Sequence, residues 1–206
     1  MVVIMRYKLE YEHKEKDFED VWNIENDYLK PSSISSINQT IKWNHQNKDT
    51  HIFVRDIKKD EIVGEITILP LTEEQYKLFM NNELEDTSIT NILEYKPNME
   101  CYLLFSAIAI AKDYRHERII LSLLMEGFYK KINYLINKDI RFLNMCAEGA
   151  TSDGQKFIEN FLNLKVQKET NEGFKLYTFD TRKDFNDWIK EFPNYIGKYK
   201  KDNNLI

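Results

Sequence analysis

At 206 residues, with 42% hydrophobic, 31% charged and 13% aromatic side chains, the chain can bury one full core and is slightly short for two domains. That balance excludes wholesale disorder, and a net charge of −5 argues against a broad basic face that binds nucleic acid, although Lys190, Lys198, Lys200 and Lys201 make a basic tail. Two cysteines, Cys101 and Cys146, make no disulfide framework, and the four histidines show no metal-ligand spacing, so no metal site is expected.

The start, Met1 to Tyr7, lacks a basic leader region and a small-residue cleavage site, which makes the cytoplasm the expected compartment. Tyr7-Lys-Leu-Glu-Tyr-Glu alternates at period two and predicts a half-buried strand. From Lys16 to Leu29 a helical pattern follows, with Phe18, Val21, Trp22 and Ile24 or Glu25 on adjacent turns, and Pro31 stops it. The serines of 32–36 offer caps, after which Ile34, Ile37, Ile41 and His45 repeat at helical spacing. His51–Asp56 and Ile62–Leu69 read as the two arms of a hairpin that Pro70 closes. Residues 71–99 form an acidic, largely helical insertion whose apolar contacts are Tyr76, Phe79 and Met80.

Cys101–Ile110 is nearly continuous in apolar residues, as expected of a strand covered on both faces. The apolar run Tyr102–Ala111 is broken by Ser106 and reaches about half the ~20 residues of a membrane span, so no membrane partner is expected. After the charged loop 112–117, Arg118–Ile136 carries one apolar stripe through Ile119/Ile120, Leu123/Leu124, Gly127/Phe128, Ile132 and Leu135/Ile136. Arg141–Ala147 predicts a second buried strand, in which Cys146 is a packing residue, and Asp153–Leu162 a second helix. Val166–Glu169 and Phe174–Phe179 predict a closing hairpin around Asn171–Gly173, and the tail from about 182 to 206 a last helix with Phe185, Trp188 and Ile189 on one side. No repeat or linker divides residues 1–206, so one α/β (α+β) domain is expected, a mixed sheet flanked by helices.

This order of elements, together with Asp113-Tyr-Arg-His-Glu-Arg-Ile-Ile opening a helix after the central strand, resembles the GNAT superfamily of acyl-CoA-dependent N-acetyltransferases. The resemblance spans roughly residues 5–180 as topology and is concentrated in 106–164. It implies that the loop Arg115, His116, Glu117, Arg118, Ile119 and Ile120 holds the pyrophosphate of acetyl-CoA, since unpaired N–H groups and the helix dipole make a ready anion site. It also implies that Ile108, Ala109, Ile110 and Ala111 splay from the next strand and pair with the pantetheine arm. The family's loop glycines are replaced here by Arg118 and Ile120. Its Tyr-x-x-x-Gly-Phe pattern is matched at Gly-Phe by Asn163-Leu164, with the Tyr position falling on Ile158 or Glu159.

An acetyl transfer to a primary amine, on a small molecule or peptide, needs a group that takes the amine's proton. Glu100, at the entry of the central strand, and Glu65, on the hairpin strand beside it, are the candidates. The carboxylates of 10–27 and of 71–100, Glu83, Glu85 and Asp86 among them, would attract a cationic acceptor if they border its site. A non-catalytic binding module with a degenerate CoA site is the alternative function, and a homodimer is left open.

Overall fold

The computed structural model describes residues 6–170, 173–179 and 185–205. Seven strands form one sheet in the order β1-β2-β3-β4-β5-β7-β6. They are β1 (Tyr7–Glu10), β2 (His51–Asp56), β3 (Glu61–Leu71), β4 (Glu100–Ile110), β5 (Arg141–Gly149), β6 (Lys165–Glu169) and β7 (Lys175–Thr178). Every neighbouring pair is antiparallel except the central β4–β5 pair. Parallel neighbours need a long crossover, and α4 (Arg118–Ile136) supplies it.

The apolar stripe of α4 explains its seat on the sheet. Ile120, Leu124, Phe128, Ile132 and Leu135 are fully buried, and each such side chain contributes roughly 1.5–3 kcal/mol. Gly127 permits a close approach, because a Cβ there would stand 2.7 Å from side-chain carbons of Leu9 and Ile52. The same core takes Ile158 of α5 (Ser152–Asn160) and the apolar face of α6 (Phe185–Asp202), including Trp188 and Phe192. Two further clusters are built around Phe18, Val21 and Ile24 of α1 (Asp17–Asn26), Trp43 of α2 (Ile37–Gln46) and Phe79 of α3 (Glu73–Asn81). Helices α2 and α3 start at their caps: the Ser36 hydroxyl accepts from Gln39 N, and Thr72 with Gln75 forms a reciprocal capping box.

Two expectations are corrected. Pro70 does not close the hairpin; β3 runs through it to Leu71, with Pro70 opposite Leu103 of β4. Pairing with β2 has already ended at His51↔Thr67, so the missing N–H of proline breaks no ladder bond on that side. The insertion is not largely helical either. Its α-helix ends at Asn82, which adopts a left-handed conformation, and the chain beyond is held by side-chain amides of the helices beside it. Asn47 Nδ2 donates to Leu93 O at 2.8 Å and Gln75 Nε2 to Asn91 O at 2.7 Å, while Trp43 Nε1 donates to Ile89 O at 2.8 Å. Apart from one 3-10 turn at Asp86–Ser88, these bonds hold the backbone without a helix. Residues 171, 172 and 180–184, at the expected turn and the start of the tail, lie outside the described residues. Among the described residues no helix is long and apolar enough to cross a membrane.

Candidate active site

The site originates in a local defect of β4. Its pairing with β3 runs Ile68↔Phe105 and then Thr67↔Ala107, so Ser106 is an extra residue with no partner, a β-bulge. At the same point β5 departs: its last pairing with β4 is Phe105↔Ala147, and beyond it Glu148 and Gly149 pair only with β7. From Ser106 onward β4 keeps one neighbour only. Ala111 N donates to Val63 O at 3.0 Å, and ladder alternation then turns the amides and carbonyls of Ile108 and Ile110 toward the free edge.

A cavity of ≈ 390 Å³ occupies the opening. One wall is the free edge of β4 with Arg115, Glu117 and Arg118. Opposite stand Thr151 and Gly154 at the start of α5, then Phe157 and Ile158. Glu25 and Tyr28 close it from the α1 side, Thr40 and Trp43 from α2, Asp86 from the insertion, and Tyr199 from α6. The Tyr28 hydroxyl donates to the Ile110 carbonyl, and Arg115 Nε donates to the Tyr28 oxygen at 2.7 Å with the guanidinium 3.9 Å from the ring centre. Ser106 Oγ donates to Asp86 Oδ2 at 3.0 Å, which ties the insertion to the bulge.

Three carboxyls stand at or behind the cavity wall. Burial pushes Glu25 up to about 7; contact with Glu65 opposes the rise and the Asp86 charge adds to it. Glu65 lies opposite Ala109 of β4, is completely buried, and is held well above the ordinary carboxylate range by burial first and the Glu25 charge second. Asp86 is raised by burial, against the pull of the Ser106 hydrogen bond.

Of the residues expected from sequence, Ile108, Ala109, Ile110, Arg115, Glu117 and Arg118 all line this cavity. His116 is exposed beside it, and Ile119 packs on the core. Ile120 is fully buried, where its Cγ2 takes the space a Cβ on Gly64 would need, 2.8 Å away. Glu100 is not brought to the cavity. It begins β4, about 20 Å along the strand from Ser106 at ~3.3 Å per residue, and pairs with Arg141 at 2.7 Å. Glu83 and Glu85 are exposed, so only Asp86 of that trio reaches the site. Glu25 was missed as a site residue, although it shares the face of α1 that carries Phe18 and Val21. A carboxylate in an apolar stripe was the available signal.

The loop replaces glycine without strain, since neither Arg118 nor Ile120 is among the residues with positive φ. Its amides are partly occupied: Glu117 N donates to Tyr114 O at 2.9 Å, Arg118 N to His116 O at 3.1 Å and Ile120 N to Glu117 O at 3.0 Å. Downstream, Asn163 has φ 53°, the left-handed conformation that a glycine there would favour and that asparagine tolerates. Ile158 faces the cavity, while Glu159 accepts a 2.8 Å hydrogen bond from the Tyr177 hydroxyl.

No family model matches the chain, and no curated protein matches it in sequence. Solved structures do match. Ard1 from Thermoplasma volcanium superposes with a TM-score of 0.53 at 12% identity, covering 84% of this chain and 95% of that one. The NatC complex bound to Gag peptide and CoA gives 0.57 at 11% identity over 84% and 96%. Arabidopsis thaliana Naa50, in complex with a bisubstrate analogue, gives 0.51 at 10% identity over 85% and 99%. The fold is that of the GNAT N-acetyltransferases.

Within a GNAT fold the isoleucine at 120 is a structural choice rather than a defect of the loop. Ile120→Gly, which restores the glycine pattern, is expected to destabilise the protein by about 2–5 kcal/mol because it empties the space against Gly64. Urea unfolding checks this, and a variant as stable as the parent would show that the packing is not needed.

Proposed function

We propose that the chain is an acyl-CoA-dependent N-acyltransferase that transfers acetyl from acetyl-CoA to a primary amine by direct attack in a ternary complex. One observation carries the reading: β4 frees its edge at Ser106 into the same cavity that Glu25 lines, with the buried Glu65 behind it. Structures with the same fold hold CoA with a peptide, or a bisubstrate analogue, which supports a CoA-type ligand and an amine or peptide acceptor here.

The residues present fit that ligand. Amides and carbonyls of Ile108 and Ile110 offer ladder partners to a pantetheine amide, and release of the Tyr28 hydroxyl would free the Ile110 carbonyl. Arg115 and Arg118, at the start of a 19-residue helix whose N-cap makes no side-chain bond, offer cations and dipole to a pyrophosphate. The cofactor supplies the activated acyl group. Glu25 then accepts the proton of the acceptor ammonium, a role suited to a carboxyl near 7 because it is part ionised at neutral pH. Asp86, on the cavity wall, adds a carboxylate that draws a cation in.

Thermal unfolding with acetyl-CoA tests the binding half. At ~100 times its dissociation constant the ligand should add about 2.7 kcal/mol to stability, and an unmoved midpoint removes the proposal. Arg118→Gly should weaken that binding, and the Arg115→Ala/Arg118→Ala pair more so. Each lost charge-assisted bond costs roughly tenfold to a hundredfold in affinity. The partly occupied loop amides and the apolar Ile158 favour, as a second reading, a module that binds CoA without turning it over. Acetyl-CoA consumption across an amine panel decides between the two. In the active case Asp86→Asn should raise KM for cationic amines, with little change in a Glu83→Gln/Glu85→Gln variant.

A further inference from the structure

From the cavity wall, where Glu25 and Thr67 stand, a line of buried polar side chains crosses β3 and β2. Thr67 Oγ1 donates to Glu65 Oε2 at 3.2 Å, and His51 Nδ1 is 2.9 Å from the same Thr67 oxygen. All three residues are buried, Glu65 and His51 completely. His51 and Thr67 are register partners, and Glu65 is two residues along the strand, so the three side chains share one face. Glu65 Oε1 and His51 Nε2 make no hydrogen bond in this geometry, and the Thr40 backbone carbonyl adjoins the imidazole.

We propose that Thr67 and His51 form a proton relay that removes the acceptor's proton from the Glu25–Glu65 carboxyl pair through the sheet rather than through the cavity mouth. The inference rests on the acyltransferase reading for its purpose, although the relay itself is a property of the unliganded protein.

The chain has two self-consistent arrangements. With one proton on the pair, that proton lies between Glu25 and the otherwise unpartnered Oε1 of Glu65. Oε2 then accepts from the Thr67 hydroxyl, and His51 donates from Nδ1 to Thr67. A second proton, delivered by the acceptor amine, must sit on Oε2. Glu65 then donates to Thr67, Thr67 donates to Nδ1, and the imidazole carries its hydrogen on Nε2, toward the Thr40 carbonyl. Passing from the second arrangement to the first moves one proton along each link and passes one from Nε2 to the neighbouring His13 ring, which hands it to solvent in the second cavity, with His51 neutral at both ends. The exit side is His13, whose ring centre is 6.0 Å from that of His51 and which lines a second cavity with Lys131 and Asp49. The groups facing the line are Glu25 from α1, Asp86 from the insertion, His13 with Asp17 and Glu10 behind it, and Lys131 from α4. Burial holds His51 down to about 3 and His13 to about 4, so both imidazoles are neutral where Glu25 titrates near 7.

The test needs no acceptor. Nitrogen-15 NMR of labelled His51 reads which ring nitrogen carries the hydrogen, and carbon-13 NMR of labelled glutamate follows the carboxyls. The expected result is a switch of the His51 hydrogen from Nε2 below the carboxyl midpoint to Nδ1 above it, with one shared midpoint. Thr67→Val should abolish the switch while Thr67→Ser keeps it. A His51 tautomer that is constant across the titration overturns the proposal, and so does a switch that survives in Thr67→Val. Failure of the acyltransferase reading would show instead as an unmoved melting point with acetyl-CoA, independently of the NMR outcome.

Discussion

Glu25→Gln is expected to cut the rate of acyl transfer by roughly 10²–10⁴-fold, the usual worth of a positioned general base, while leaving acetyl-CoA affinity within a factor of two or so. The change should also remove the acid limb, near pH 7, from the pH–rate profile of the parent. Stability should move the other way. A carboxyl raised to about 7 binds its proton in the folded state more tightly than in the unfolded chain, which releases it near its ordinary value. The folded state therefore holds more protons between those two values, and stability falls as pH rises through that window. Glutamine carries no such penalty, so the variant should be more stable than the parent at pH 8, on the order of 1–3 kcal/mol, and nearly equal to it at pH 4. Urea midpoints at the two pH values measure this. A variant that loses activity and stability together at pH 8 would make Glu25 a packing residue.

Trp188→Ala should be the most damaging single truncation in the C-terminal helix. Trp188 is 2% exposed, packs edge-on against Phe179 and Phe192, and donates from Nε1 to the Leu162 carbonyl at 2.9 Å. Removing it leaves a large cavity and an unpaired buried carbonyl, at a cost of about 3–5 kcal/mol. The same helix delivers Tyr199 to the cavity, and its hydroxyl reaches the Arg118 carbonyl at 3.4 Å. The ligand-induced rise in melting temperature should therefore shrink in this variant as well. Val166→Ser, on a side chain 49% exposed, is the control and should shift stability by no more than ~0.5 kcal/mol.

Elements with a periodic or continuous apolar pattern were legible from residues alone. The helix expected over Arg118–Ile136 has those ends in the structure, and β2 spans His51–Asp56 as its pattern predicts. The apolar Cys101–Ile110 run is the central strand, begun one residue earlier at Glu100. The insertion was harder, because its order past Asn82 comes from amide side chains of α2 and α3 reaching backbone carbonyls, and no local pattern encodes such bonds. In the site, the strand end and the two loop arginines were legible through the resemblance they carry. Tyr199 was not, since its place depends on how α6 crosses α4. Glu25 was covered only as one of the carboxylates of 10–27, and charge alone does not separate it from its exposed neighbours.

Gly64 and Ile120 are two halves of one volume. A Cβ at 64 would stand 2.8 Å from the side chain at 120, so one of the two must shift, and a glycine at 120 leaves a hole that glycine at 64 cannot fill. Their substitutions should therefore be strongly non-additive, with the double change Gly64→Ala/Ile120→Ala less harmful than the sum of its parts. Such a pair acts as a ratchet on descent. Once a bulky residue settles at the start of the helix and its neighbour shrinks, the route back to a glycine-rich loop passes through an unstable single variant. Lineages carrying this pair would then be held to binding phosphate with side chains.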